Sequence, residues 1–306
     1  MAQNATPIVI AHRAASGYLP EHTLPAVAMA HALEADFIEQ DIVLTRDEVP
    51  IVLHDIHLDT VSDVATRFPD RQRADGRFYA LDFTLGEIRR LRATERFNAK
   101  TGRQVFPKRF PKGQGDFQIP TLEEELQLIR GLNQSTGRNT GIYPEIKQPA
   151  WHRKEGHDIS RIVLPILRRH GYATKADACW LQCFDLPEVK RLRGELAWQG
   201  RLVLLLESAI TAETLAELAP ILDGIGPAIS LVIAGRTPDD RIVTDLVRHA
   251  HAHHLAVHPW TLRRDDLPKF ATSFEDLMGV LFTDAKVDGA FSDFPDVTVR
   301  WLRGRK

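Results

Sequence analysis

The sequence predicts an α/β fold closed into a (β/α)8 barrel, and three observations carry that reading. Strand-like runs alternate with amphipathic helical runs along most of the 306 residues, the pattern of a parallel sheet covered by helices. The repeated unit count favours a closed barrel over an open sheet, at a length that a single barrel commonly reaches. The third observation is chemical. His12-Arg13, Glu39-Gln40-Asp41 and His54-Asp55 each close a strand-like run. They can meet only if those strand ends lie side by side on one rim, as the C-terminal ends of a parallel barrel do.

Taken in chain order, strand-like runs fall at residues 8–11, 37–43, 51–53, 141–146, 179–184, 202–206, 230–233, 256–260 and 290–291, with a weaker candidate at 223–226. These are more candidates than a barrel has slots. Helical patterns intervene at 24–33, 84–91, 121–132, 159–170, 186–196, 212–222, 237–253 and 297–302. Thr121 followed by Glu124 has the spacing of an N-terminal capping box, and Thr84 with Glu87 repeats it. Residues 58–119 break the rhythm, being rich in Arg, Asp, Gly and Pro with aromatics interspersed. A stretch this long without regular structure is uncommon unless functional. The reading is one catalytic domain over 1–306, with 58–119 inserted as a cap over the rim that carries the site.

Composition narrows the classes. Thirty-nine basic against 41 acidic residues leave a net charge of −2, which argues against a nucleic-acid binder. The basic stretch at 300–306 reads as a solvated tail. No apolar run approaches the roughly 18 residues of a membrane span. The start, Met1-Ala2-Gln3-Asn4-Ala5-Thr6, lacks the basic and apolar regions of a signal peptide, so the chain reads either as cytoplasmic or as a mature form. Cys179 and Cys183 lie in one strand-like run, roughly 13 Å apart and beyond disulfide reach, and read as free thiols. The run His249, His251, His253, His254 and His258 reads as a solvated face, with adventitious metal binding as the alternative. Nothing in the sequence fixes an oligomeric state.

The chemistry rests on a few side chains. Residues i and i+2 of a strand face the same way, so Glu39 and Asp41 can hold one cation. Their apolar neighbours Ile38, Ile42 and Val43 suggest a central strand, where buried carboxylates need a cation or hydrogen-bond donors. Glu145 adds a third carboxylate and shares its face with Lys147. An all-oxygen set suits one hard divalent cation, Ca²⁺ or Mg²⁺. Lys147 can contact a phosphate oxygen or pair with Glu145. His12 and His54 titrate near neutrality and are the acid/base candidates. Arg13 offers a planar donor fork for phosphate. Glu21 reads either as a further ligand or as a helix N-terminal acid.

These motifs together resemble the glycerophosphodiester phosphodiesterase family, specifically its bacterial periplasmic type. The resemblance is carried by His12-Arg13-Ala14-Ala15-Ser16-Gly17 through Glu21-His22-Thr23, by Ala35-Asp36-Phe37-Ile38-Glu39-Gln40-Asp41, and by Val52-Leu53-His54-Asp55. Further matches are Gly141-Ile142-Tyr143-Pro144-Glu145-Ile146-Lys147, Leu181-Gln182-Cys183-Phe184-Asp185, Val257-His258-Pro259-Trp260-Thr261 and Ser292-Asp293-Phe294-Pro295. The resemblance implies a phospholipase-C-like TIM barrel with a capping insertion. It implies hydrolysis of deacylated phospholipids, such as glycerophosphocholine and glycerophosphoethanolamine, to sn-glycerol 3-phosphate and an alcohol, and a periplasmic location. By motif, Glu39, Asp41 and Glu145 would bind the cation and His12 and His54 would form the acid/base pair. Arg13 would assist catalysis at the phosphate; Lys147, Gln182, Phe184 and Trp260 would join it in binding substrate. Glu21 and Asp55 would lie near the site. The chain departs from the family's usual glycine at Ala14 and Glu34, and from a common Gly or Asp at Glu48.

Two rival readings share the barrel. A phospholipase D acting on lysophospholipid or sphingolipid predicts an apolar entry, whereas the insertion is polar and charged. A non-catalytic binding protein on the same barrel predicts lost ligands or histidines, and every one is in place.

Overall fold

A computed structural model describes residues 6–304. Residues 1–5, which bear on the leader, and the last two residues of the basic tail lie outside the described residues. The strands are β1 (Ile8–Ala11), β2 (Phe37–Leu44), β3 (Pro50–Val52), β4 (Gly141–Ile146), β5 (Trp180–Cys183), β6 (Arg201–Leu206), β7 (Gly224–Pro227), β8 (Ile233–Ala234), β9 (Ile242–Val243), β10 (Ala256–Val257) and β11 (Gly289–Ser292). Eight of them run parallel in the order β10-β7-β6-β5-β4-β2-β1-β11. The ring closes beyond β10, where Phe291 N–H donates to Pro259 O (3.0 Å) and Leu262 N–H to Phe291 O (2.8 Å). This is the (β/α)8 barrel that the alternation predicts.

Period-two alternation divides each strand between two cores. Val9 and Ala11, Ile38 and Ile42, and Ile142 and Ile146 face outward into the layer shared with the helices. Ile10, Tyr143, Val203 and Phe291 fill the barrel interior. Glu39, Asp41 and Glu145 sit on the odd-numbered inner face of the same strands, so the outer apolar pattern itself aims the carboxylates inward. The helix Leu24–Ala32 is capped by Thr23, whose hydroxyl accepts from Ala26 N–H. Both capping boxes form, at Thr84 with Glu87 and at Thr121 with Glu124. The second opens the helix Leu122–Thr136, which packs on β3 and on the helix Leu24–Ala32.

Several elements differ from the sequence reading. The run at 51–53 is no barrel strand: β3 pairs antiparallel with β2, Ile42 opposite Val52. Too few residues separate β2 from β3 for a parallel crossover, which needs a dozen or more. The apolar run at 230–233 is mostly the helix Ile229–Val232, and the weaker candidate at 223–226 supplies the true strand β7. The segment expected to be helical over 237–253 contains β9, paired with β8 in a small hairpin, and is helical only over Leu246–Ala252. His258 leaves the expected solvated face; it is buried within the barrel, hydrogen-bonded to the Tyr143 hydroxyl at 2.9 Å. His251, His253 and His254 are exposed. Cys179 and Cys183 are free and buried.

Residues 58–119 build a second apolar core of Leu58, Val61, Val64, Phe78, Phe83, Ile88 and Leu91, continuous with Val43 and Ile51 of the barrel edge. Three departures from the family pattern share one backbone feature. Ala14, Glu34 and Glu48 adopt φ of 66°, 65° and 58°. That left-handed region is where glycine costs least, which accounts for the residue the resemblance leads one to expect there.

Candidate active site

Register places the acidic residues. Asp41 lies opposite Glu145 across the β2–β4 pair, and Glu145 opposite Gln182 across β4–β5. One oxygen from each of Glu39, Asp41 and Glu145 lies within 4.8 Å of the others, and all three side chains are buried. Glu39 accepts from Arg13 backbone N–H (2.8 Å) and from Gln182 Nε2 (2.9 Å). Gln182 thus orients the carboxylate and is not among the cavity-lining residues. Asp41 accepts from His22 Nε2 at 2.7 Å, while its buried Oδ1 has no hydrogen-bond partner among the described residues. Lys147 Nζ lies 2.9 Å from Glu145 and 3.6 Å from Asp41.

Electrostatics mark the cluster as short of positive charge. Burial, then repulsion from Asp41 and Glu145, raises the Glu39 carboxyl well above the ordinary range. Glu145 is pushed up to about 8, burial and Asp41 outweighing Lys147. Burial also raises Asp41, but Lys147, His54 and His22 overcome it and hold that carboxyl low. Against three carboxylates the protein sets the Lys147 ammonium and, at 3.8 Å from Asp41, an Arg13 guanidinium that it shares with Glu21. The uncompensated charge and the orphaned Asp41 oxygen fit a cation held by oxygens alone.

The two histidines flank this cluster. His12 follows β1, and its Nδ1 donates to Asp293 Oδ1 at 2.6 Å. Its Nε2 lies 3.9 Å from Glu39. His54 comes by a different route from the expected parallel strand: the antiparallel return of β3 carries it back, with Leu53 N–H bonded to Asp41 O at 2.8 Å. His54 Nδ1 donates to Asp55 Oδ1 at 2.7 Å. Burial holds the His12 imidazole down to about 4, and burial with Arg13 and Lys147 lowers His54. Both rings are neutral bases at pH 7 in the absence of a bound anion.

A cavity of about 690 Å³ joins these groups, lined by His12, Arg13, Glu39, Asp41, His54, Asp55, Glu145 and Lys147, with Phe184, Glu207, Trp260 and Arg263 on its walls. Phe184 and Trp260 meet edge to face at 5.7 Å. No residue of 58–119 lines it. The insertion meets the site from behind instead. Glu21 is absent from the acidic cluster, and its oxygens bond Arg96 (2.6 and 2.9 Å) and Arg13 (3.2 Å). Sequence reasoning assigned no role to Asp293, His22, Arg96, Arg109 or Arg263. Asp293 and His22 lie within motifs that carry the family resemblance; Arg96 and Arg109 lie in the irregular stretch 58–119, and Arg263 lies outside both.

Glu95, beside Arg96, is 3% exposed and its Oε2 has no hydrogen-bond partner among the described residues. Burial, then Glu21, raises it from 4.5 to about 8. The folded state therefore binds a proton that the unfolded chain releases, and stability falls as pH rises through 4.5 toward 8. Glu95→Gln is expected to add about 1–3 kcal/mol at pH 9 and little at pH 5. Urea unfolding at the two pH values checks this; equal midpoints for wild type and variant at pH 9 would refute it.

On the rim of a parallel barrel, such a donor set suits a hydrolase of phosphoric esters. The chain belongs to the Glycerophosphoryl diester phosphodiesterase family, whose sequence profile matches residues 12–297. It is 41% identical to a glycerophosphodiester phosphodiesterase of Haemophilus influenzae, over 98% of this chain and 90% of that protein. A Treponema pallidum protein of the same name is 35% identical, over 96% and 91%. The chain is accordingly an enzyme, a phosphoric diester hydrolase. Among solved structures, it resembles an Oleispira antarctica phosphodiesterase in complex with the product sn-glycerol-3-phosphate, with a TM-score of 0.69, 20% identity and 97% of each chain covered. A glycerophosphodiester phosphodiesterase from Parabacteroides distasonis gives 0.65, 18% and 98% of each. At these identities the structures bear on the fold.

Proposed function

We propose that the enzyme hydrolyses deacylated phospholipids, glycerophosphocholine and glycerophosphoethanolamine among them, to sn-glycerol 3-phosphate and the free alcohol. The observation that supports this best is the convergence of Glu39, Asp41, Glu145, His12 and His54 on one cavity with Arg13 and Lys147. Its volume is that of a small-molecule site. Glu39, Asp41 and Glu145 would hold one Ca²⁺ or Mg²⁺. When bound, that cation supplies positive charge to the phosphoryl oxygens as negative charge builds there. Arg13 and Lys147 bind the remaining phosphate oxygens and fix the diester. One histidine takes a proton from the nucleophile, either water or the substrate's own glycerol hydroxyl, and the other gives one to the leaving alcohol oxygen; on the second route water then opens the cyclic phosphate to sn-glycerol 3-phosphate. The substrate's negative charge opposes the depression of both imidazoles and favours the protonated partner. Phe184 and Trp260 offer apolar faces to the carbon skeleton.

A coupled assay for sn-glycerol 3-phosphate tests the reading. Release from several glycerophosphodiesters, with kcat/KM at least about tenfold below them for lysophosphatidylcholine, is the expected result. Turnover confined to the acylated substrate would favour a lipid phospholipase D. We also propose a periplasmic location, on the motif resemblance that spans the chain. Activity released by osmotic shock from cells expressing the complete gene would support it, and retention in spheroplasts would refute it.

A further inference from the structure

We propose that Arg96 and Arg109, both supplied by the inserted segment, are positioning residues that lock the two histidines from behind. The proposal rests on reading His12 and His54 as the acid/base pair. Each histidine is backed by an aspartate, and each aspartate by one of these arginines. Arg109 Nη2 donates to Asp293 Oδ2 at 2.6 Å, and Asp293 Oδ1 takes His12 Nδ1. Arg96 Nη1 donates to Asp55 Oδ2 at 2.6 Å, and Asp55 Oδ1 takes His54 Nδ1.

The two arginines are anchored alike. Arg109 grips Asp265 with two bonds, 2.8 and 2.9 Å, and reaches Ser16 O at 3.3 Å. Arg96 grips Glu21 with two, 2.9 and 2.6 Å. Glu21 in turn holds the Arg13 guanidinium. Each insertion arginine therefore spans two barrel carboxylates, one fixing the arginine and the other fixing a histidine. Thr60 adds a contact at 3.3 Å to Arg96, and Arg263 a second donor at 3.0 Å to Asp293.

The chemistry follows from donor counting. A carboxylate only accepts, so each imidazole must carry its proton on Nδ1 and present a lone pair at Nε2. An aspartate with one oxygen on histidine and the other on arginine has one orientation left. Guanidinium stays charged and forks in a plane, so it can bridge two carboxylates; an ammonium is a point charge and cannot reproduce both angles. With no residue of 58–119 lining the cavity, this backing is the segment's physical contact with the reacting groups.

The test compares Arg96→Lys, Arg109→Lys and the corresponding alanine variants with wild type on glycerophosphocholine at saturating cation. Each is expected to lower kcat about ten- to a hundredfold, with KM within about threefold and the cation titration midpoint unchanged. Arg71→Ala serves as a control. It removes an ion pair to Glu87 and a contact with the Phe83 ring inside the same segment, away from the site, and should leave kcat unchanged. Thermal melts establish that the variants are folded, and ¹⁵N-histidine NMR reads the tautomer directly. Wild type should show the Nδ1-protonated form at His12 and His54; the lysine variants should show a mixture. Folded lysine variants with wild-type kcat and unchanged tautomers would overturn the proposal. So would an equal loss in Arg71→Ala, which would mean that any loosening of the segment suffices. Wild-type activity in His12→Ala and His54→Ala would instead bring down the acid/base reading on which it rests.

Discussion

Dialysis against excess EDTA is expected to abolish phosphodiester hydrolysis, and Ca²⁺ or Mg²⁺ to restore it. The reason lies in the charge balance of the acidic cluster. Three carboxylates converge to within 4.8 Å, and all are buried. Taking a carboxylate out of water costs several kcal/mol unless a counter-charge is close. Lys147 supplies one such charge, Arg13 adds a more distant one (Nε 3.8 Å from Asp41) and a backbone N–H to Glu39, and Gln182 and His22 hydrogen-bond Glu39 and Asp41. Burial first, and then repulsion within the cluster, raises the Glu39 and Glu145 carboxyls. A divalent cation relieves that repulsion, so binding should also raise the thermal midpoint; at a hundred times Kd the gain is about 2.7 kcal/mol. Glu145→Gln should lose activity and most of that cation-dependent gain, since one anionic donor is gone. Differential scanning fluorimetry with and without Mg²⁺ reads the second effect independently of turnover. Full activity after dialysis into excess chelator would end the metal reading.

What the sequence disclosed, and what it hid, follows from how far each interaction reaches. The face shared by Glu39 and Asp41 is a local fact, fixed by strand period and by the apolar residues that flank them, Ile38, Ile42 and Val43. So were the capping boxes at Thr84 and Thr121, which close within three residues. His54 arrived at the expected place by an unexpected path. The loop length between β2 and β3 already excluded a parallel connection, and applying that rule would have predicted the hairpin. The run Ser230-Leu231-Val232-Ile233 misled because three consecutive apolar residues carry no period that separates strand from helix. Tertiary contact decided it, Ile229 N–H bonding to Trp260 O at 3.0 Å. The backing arginines were illegible for a different reason. Arg96 meets Glu21 75 positions away, and Arg109 meets Asp293 184 positions away. No local pattern marks such a pair. The insertion's own core, with Leu58, Phe78 and Phe83 at no regular spacing, was hidden likewise.

The histidine substitutions should produce a comparably large loss. His12→Ala and His54→Ala are each expected to lower kcat by about 10²–10⁴ while leaving the fold and cation binding in place. The range is that of removing one general acid or base. The protein should survive because each ring packs at the cavity edge of its strand, and the barrel core lies elsewhere. His12 touches the aromatic interior only edge-on, its ring 6.4 Å from Phe291. The two variants need not be equivalent. Loss of His12 leaves Asp293 held by Arg109 and Arg263, a compensated carboxylate. Loss of His54 leaves Asp55 on Arg96. Neither removal strands a buried charge, so the kinetic effect should greatly exceed the stability effect. A diester with a nitrophenol leaving group then separates the roles. Its alcohol departs without protonation, so the variant lacking the general acid should recover much of its rate while the variant lacking the base should not. If both variants fold, bind Mg²⁺ and turn over glycerophosphocholine near the wild-type rate, a different pair of groups moves the protons.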